Sequence, residues 1–116
     1  MRAILKNIDW MQKDPNDYTG NEDGTVSLTL TLSIGIDGEE GSDYFNLFVC
    51  SYDWMKKWYR FPKILTHTLA LHEYNLEEIV SVIESHISKC EGANWEEISA
   101  KLSQIFKWEF EDYKDL

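Results

Sequence analysis

The stretch TVSLTLTLSIGI, Thr25 to Ile36, constrains this chain more than any other. Val26, Leu28, Leu30, Leu32, Ile34 and Ile36 alternate with serine, threonine and glycine, a period of two held from residue 26 to residue 36. An extended strand sends alternate side chains to opposite sides, so one face here is apolar and the other wet. That asymmetry suits an antiparallel sheet with its core on one face. DGEEGS follows as a glycine-bracketed turn, and DYFNLFVC reads as a second strand. In it Phe45, Leu47 and Val49 share one face, while Tyr44, Phe48 and Cys50 share the other, which predicts a central strand covered on both sides. The two strands form a hairpin whose tip displays Asp37, Glu39, Glu40 and Asp43.

The flanking segments extend the pattern. RAILKNIDW reads as a strand, with Ala3 and Leu5 on one side and Ile4, Ile8 and Trp10 out of strict phase. MQKDPNDYTGNEDG is turn chemistry throughout, and its length marks it as either a mobile loop or a functional one. Ser51 is placed to cap a short helix, SYDWMKKWY, with Trp54, Met55 and Trp58 inward and Pro62 ending the element. ILTHTLALHEY, residues 64–74, alternates like a further strand. Asn75 with Glu78, and Asn94 with Glu97, stand where N-cap and N3 residues belong, each start resembling a capping box. The first helix carries Leu76, Ile79, Val80, Ile83 and Ile87 at helical spacing up to Cys90, with Gly92 as its stop. The second carries Trp95, Ile98, Leu102, Ile105 and Phe106. The order β-β-β-α-β-α-α predicts an α+β fold, a mostly antiparallel sheet of about four strands packed against helices, in one domain spanning residues 1–116.

The balance of charge narrows the partners. A net charge of −10 argues against nucleic acid and against an anionic membrane surface, both of which call for a basic footprint. It favours either solubility alone or a basic protein partner. The acidic residues cluster: Asp14, Asp17, Glu22 and Asp23 in the long loop, the hairpin tip, and Glu109, Glu111, Asp112 and Asp115 in the tail. The opposite excess is confined to KKWYRFPK, with Lys56, Lys57, Arg60 and Lys63. No signal-peptide pattern or membrane-length apolar run appears, and Cys50 and Cys90 suit buried thiols, so the expected compartment is the cytoplasm.

No catalytic apparatus is legible. His67 and His72 fall on opposite faces of their predicted strand, and His86 lies at the edge of a helix stripe, so no shared metal site is expected. Glu77-Glu78 and Glu96-Glu97 lie in helix first turns, where the dipole explains them. No phosphate-cradling glycine loop, nucleophile elbow or calcium-loop spacing is present, and neither a cofactor nor an enzymatic role is expected. What remains is a binding module with aromatics among its acidic loops: Tyr18, Tyr44, Tyr52, Trp54, Trp58 and Tyr59. Of the tryptophans, Trp54, Trp95 and Trp108 are expected in the core. In the tail KWEFEDYKDL, Trp108 and Phe110 are expected to fold back as core plugs, with Glu109, Glu111 and Asp112 outward.

GEEGSDYFNLFVCSYDW and, downstream, CEGANWEEISAKLSQIFKWEFEDY resemble the immunity protein 8 family of bacterial polymorphic toxin systems. The resemblance rests on Gly38, Glu39, Glu40, Phe45, Val49, Cys50 and Trp54, then Gly92, Trp95, Leu102, Trp108, Glu109, Phe110 and Tyr113, and extends to the opening RAILKNI. It implies a small α+β protein without enzymatic activity that binds and neutralises a cognate toxin. A basic nuclease domain would fit the acidic charge. Asp37, Glu39, Glu40 and Asp43 of the hairpin, with Asp53, are the candidate contact residues. An acidic cytosolic adaptor for another basic protein is the alternative reading. The oligomeric state is left open, with a monomer favoured.

Overall fold

The computed structural model describes residues 1–110; Glu111, Asp112, Tyr113 and Asp115, and the expectations attached to them, lie outside the described residues. Its elements are β1 (Ala3–Asp9), β2 (Ser27–Ile36), β3 (Asp43–Ser51), α1 (Tyr52–Trp58), β4 (Thr68–Leu71), α2 (Leu76–Ser88), α3 (Trp95–Leu102) and β5 (Lys107–Trp108). The order is the predicted one with a short final strand added, and the fold is α+β.

The sheet runs β1-β2-β3-β4, with β5 also on β3. β1, β2 and β3 form an antiparallel meander, while β4 lies parallel to β3. Leu32 faces Phe45, Leu30 faces Leu47 and Leu28 faces Val49 across the β2–β3 ladder, so the alternation of both strands sums to one apolar face. Ile79, Ile83 and Ile87 of α2, with Ile98 and Leu102 of α3 and Phe106 beyond it, close over that face. Fully burying each such side chain contributes about 1.5–3 kcal/mol.

The imperfect phase of β1 has a simple cause. The register slips between Leu5 and Asn7, a bulge at Lys6, so that Ala3, Leu5 and Ile8 face Ile36, Ile34 and Leu32 in turn. One extra residue returns Ile8 to the core side and frees Lys6 for another task.

β3 is central, but its second face is covered only in part. Cys50 is buried and Phe48 half-buried where α1 packs, whereas Tyr44 and Asn46 are exposed. β4 is also shorter than predicted. Its alternation continues back to Ile64, yet β5 already occupies the edge of β3 at Phe45 and Asn46, leaving only Phe48 to Ser51 for β4. His67, at φ 51°, turns the chain onto that edge, and residues 60–66 stand exposed instead. The long loop, residues 11–24, is anchored to the core through Tyr18. Tyr18 is buried, its hydroxyl donates to the Ser27 carbonyl at 3.2 Å and accepts from the Ser27 N–H at 2.9 Å. Trp10 meets its ring edge-on at 5.1 Å, Tyr74 packs at 4.9 Å, and the Tyr74 hydroxyl donates to the Pro15 carbonyl at 2.7 Å.

The helix starts follow the capping chemistry. Asn75 accepts from the Glu78 N–H at 3.2 Å and Asn94 from the Glu97 N–H at 2.9 Å, while the Glu97 carboxylate reaches back to the Ala93 N–H at 2.8 Å. Gly92 plays a different part from the one expected. α2 ends at Ser88, and Gly92 is needed because a Cβ there would stand 2.7 Å from Glu97 Cβ.

Candidate functional site: an acidic hairpin tip

The β2–β3 turn is built to hold still. Its glycines Gly38 and Gly41 sit at φ 85° and 90°, conformations that side-chain-bearing residues avoid. The Asp37 N–H donates to the Arg2 carbonyl at 2.8 Å, and the Glu39 N–H to the Ile36 carbonyl at 3.1 Å. Lys6, released outward by the β1 bulge, donates its ammonium to the carbonyls of Glu39 and, at 2.9 Å, Gly41. The turn therefore folds over β2 so closely that a Cβ at Gly35 would lie 2.4 Å from the Gly41 carbonyl oxygen. Asp37, Glu39 and Glu40 project from this scaffold, exposed. Among the described residues no hydrogen bond or ion pair occupies the carboxylates of Glu39 and Glu40.

Asp43, at the base of the tip, has a different role. Its Oδ2 accepts from the indole N–H of Trp95 at 2.9 Å and from that of Trp108 at 3.0 Å. One half-buried carboxylate thus ties the start of α3 and strand β5 to the hairpin. Beside it Glu109 clamps Tyr44 twice: the Glu109 N–H donates to the Tyr44 carbonyl, and the Glu109 carboxylate accepts from the Tyr44 N–H, each at 2.9 Å. Glu109 is exposed but does not simply point into solvent as the sequence suggested. Trp108 stacks on Phe45 at 6.3 Å, and Phe110, 45% exposed, leans edge-on against Trp108 at 5.3 Å. Residues 107–110 buttress the hairpin, with Trp108 the plug and Phe110 its outer cover.

Asp53 does not join this group. It lies in the first turn of α1, beyond the far end of β3, and β3 from Asp43 to Ser51 spans on the order of 27 Å. Its Oδ1 accepts from the Ser51 hydroxyl and from the Trp54 N–H, the latter at 2.8 Å, so it steadies Ser51, the N-cap of α1. The Ser51 hydroxyl in turn accepts from the Val26 N–H at 2.9 Å. Of the five candidate residues, three stand on the tip, one braces its base and one belongs to the opposite end of the sheet.

The aromatic residues also divide. Tyr18 is core rather than exposed, Trp54 and Tyr59 are half-buried, and Tyr44, Tyr52 and Trp58 are open to solvent. Trp58, expected inward on α1, is 61% exposed. In the long loop Asp23 is occupied: its Oδ1 accepts from the N–H and hydroxyl of Thr25, and its Oδ2 pairs with Lys57 at 2.8 Å. These bonds, that from Lys57 foremost, hold the Asp23 carboxyl well below the usual carboxylate range. Cys50 and Cys90 are free and buried, and burial pushes both thiols up. Among the described residues no group of three or more His, Cys, Asp or Glu side chains is arranged to hold a metal, and no helix is long and apolar enough to cross a membrane.

The α+β fold thus displays an acidic turn whose base is braced by the indoles of Trp95 and Trp108. The chain belongs to the immunity protein 8 family, whose model matches residues 3–113, nearly its whole length. It is accordingly an immunity protein of a toxin–immunity system. No curated protein and no solved structure matches it significantly. The family positions noted in the sequence now have physical roles: Trp95, Trp108 and Glu109 converge on the base of the hairpin, and Gly92 admits the first turn of α3.

Proposed function

We propose that the protein neutralises a cognate bacterial toxin domain by masking its active site or a surface it needs, with the acidic hairpin tip facing the toxin. The observation that carries this reading is the combination of exposed carboxylates at Glu39 and Glu40, unoccupied among the described residues, with a turn already fixed by Lys6, Gly35 and the Arg2 carbonyl. A preordered surface loses little conformational entropy on binding, so more of the interaction appears as affinity. The net charge of −10 favours a basic partner. A basic toxin domain that acts on nucleic acid would meet carboxylates where it otherwise meets phosphates.

In this reading the protein acts by occupancy and transforms no substrate, from the cytoplasm of the cell it protects. The test is co-expression with the toxin domain encoded beside it. Growth restored, together with co-purification of the two chains, is the expected result; killing that continues undiminished while this protein is abundant would refute the reading.

A further inference from the structure

Away from the acidic tip, beside the half of β3 that leads into α1, lies a second surface of opposite character; it rejoins the sheet at Phe48, whose N–H donates to the His67 carbonyl at 3.0 Å. Between α1 and β4 the chain forms a strap in which Trp58, Phe61 and Ile64 are 61%, 83% and 91% exposed. Apolar side chains left that open, three residues apart on one segment and rimmed by charge, mark a site of association. The rim is basic. Residues 56–63 carry Lys56, Lys57, Arg60 and Lys63 and no acidic residue, in a chain whose net charge is −10.

The root of the strap is fixed while its crest is bare. Phe48 on β3 meets Trp54 edge-on at 5.2 Å, Trp54 meets Tyr59 at 5.1 Å, and the Lys63 ammonium sits 4.4 Å from the centre of the Tyr59 ring. Arg60 Nε donates to the Lys57 carbonyl at 3.3 Å. Alongside, a cleft of about 550 Å³ opens between the rings of Trp54 and Trp58 and the Glu22–Asp23 turn, which extends the apolar surface. Rigid aromatic anchors of this kind supply most of the energy of an interface, whereas peripheral charges govern approach and orientation.

We propose that this strap is the affinity-bearing contact with the toxin domain, and that it seats Phe61 and Ile64 in an apolar pocket rimmed by carboxylates. The proposal rests on the immunity reading above and adds a second, separate surface to it. Two features select the occupant. A second copy related by a two-fold axis through the strap would set Lys56, Arg60 and Lys63 against the same three cations, Lys57 being paired with Asp23. A membrane rich in anionic lipid would attract the strap but repel the remainder of a strongly acidic molecule. An acidic-rimmed protein pocket matches the strap alone. Two separate surfaces of different charge, the acidic tip and the strap, would also fix the orientation in which the partner docks.

The test is binding kinetics with a catalytically inactivated toxin domain. Phe61 and Ile64 barely touch the rest of the protein, so Phe61→Ser with Ile64→Ser leaves the thermal transition unchanged. The double variant should dissociate about 100-fold faster or more, with its association rate within a few-fold of the parent. Lys56→Glu with Arg60→Glu should weaken binding as well. An unchanged dissociation rate in the apolar variant, while the parent binds, overturns the strap and leaves the immunity reading standing. Tighter binding by the charge variant overturns the acidic rim. A parent chain that fails to bind the toxin domain removes both readings together. Parent binding to phosphatidylglycerol vesicles, lost in the apolar variant without change in toxin affinity, assigns the strap to a membrane and refutes the proposal. A parent dimer dissolved by the same variant assigns it to self-association and does likewise.

Discussion

Replacing Asp43 with alanine removes the acceptor shared by the Trp95 and Trp108 indoles, at 2.9 and 3.0 Å. A hydrogen bond to a charged group contributes about 1.5–3 kcal/mol, and a donor left without a partner in a buried place costs a similar amount. Asp43 is only half-buried, so water can satisfy part of what is lost, and the two bonds together come to about 2–4 kcal/mol. For a chain of this size that corresponds to a fall in Tm of roughly 10–20 °C. Asp43→Asn keeps an acceptor without the charge and should lose about half as much. Urea unfolding followed by tryptophan fluorescence gives the numbers, and Trp95→Phe and Trp108→Phe complete two double-mutant cycles. Coupling energies near zero, or Asp43→Ala within 0.5 kcal/mol of the parent, would show that the carboxylate is not a brace. Asp43 would then return to the tip residues as a candidate for partner contact.

Three further outcomes follow from the same structure. Gly35→Ala must push the turn, with its Gly41 carbonyl 2.4 Å from the added Cβ, away from β2, and should destabilise the protein by about 1–3 kcal/mol in urea unfolding; an unchanged midpoint would mean the turn does not lie on β2. Cys50 and Cys90 should resist a thiol reagent in the folded protein at neutral pH and react only as it unfolds, because burial both shields the thiols and disfavours the thiolate. The Asp23 carboxylate is depressed in the folded state, so its contribution to stability is fully present above the unfolded carboxylate value of ~3.9 and is lost as pH falls through the lower folded value. Carbon NMR should show Asp23 still ionised when other exposed carboxylates have titrated, and Lys57→Ala should move its midpoint upward; an ordinary midpoint in the parent would show that the pair is not formed in solution.

The parts of the fold legible from sequence were those set by local period and capping. The alternation in β2 and β3 needs no distant information, because each strand's pleat alone sorts its side chains. Ser51, Asn75 and Asn94 cap helices for reasons contained within four residues. What escaped was decided by competition between segments far apart in the chain. β4 begins at Thr68 and not at Ile64 because residues 107–108 take the neighbouring edge of β3, which no pattern within ILTHTLALHEY could reveal. Tyr18 looked like a loop aromatic until Trp10, Ser27 and Tyr74 closed around it.

The candidate site divides in the same way. The acidic tip was visible as DGEEGSD between two alternating runs, and Asp37, Glu39 and Glu40 stand where a hairpin turn puts them. Asp43 is indistinguishable from them in sequence, since its indole partners lie 52 and 65 residues away. Asp53, close in sequence to the end of β3, is carried to the opposite end of the sheet by the length of that strand. The strap was visible as a run of cations but not as an exposed apolar crest, because its rings resemble those of a core strand until the sheet edge is known to be full. Lys6 carried no signal at all; its task emerges from a one-residue slip in β1.

The most direct measurement is the association rate with the toxin domain as a function of ionic strength, for the parent and for Glu39→Lys with Glu40→Lys. If the tip steers a basic partner, the parent rate falls steeply with salt, and the double variant starts slower with a flatter dependence. Identical rates and identical salt slopes for the two proteins would contradict the assignment of the hairpin tip as the surface that meets the toxin.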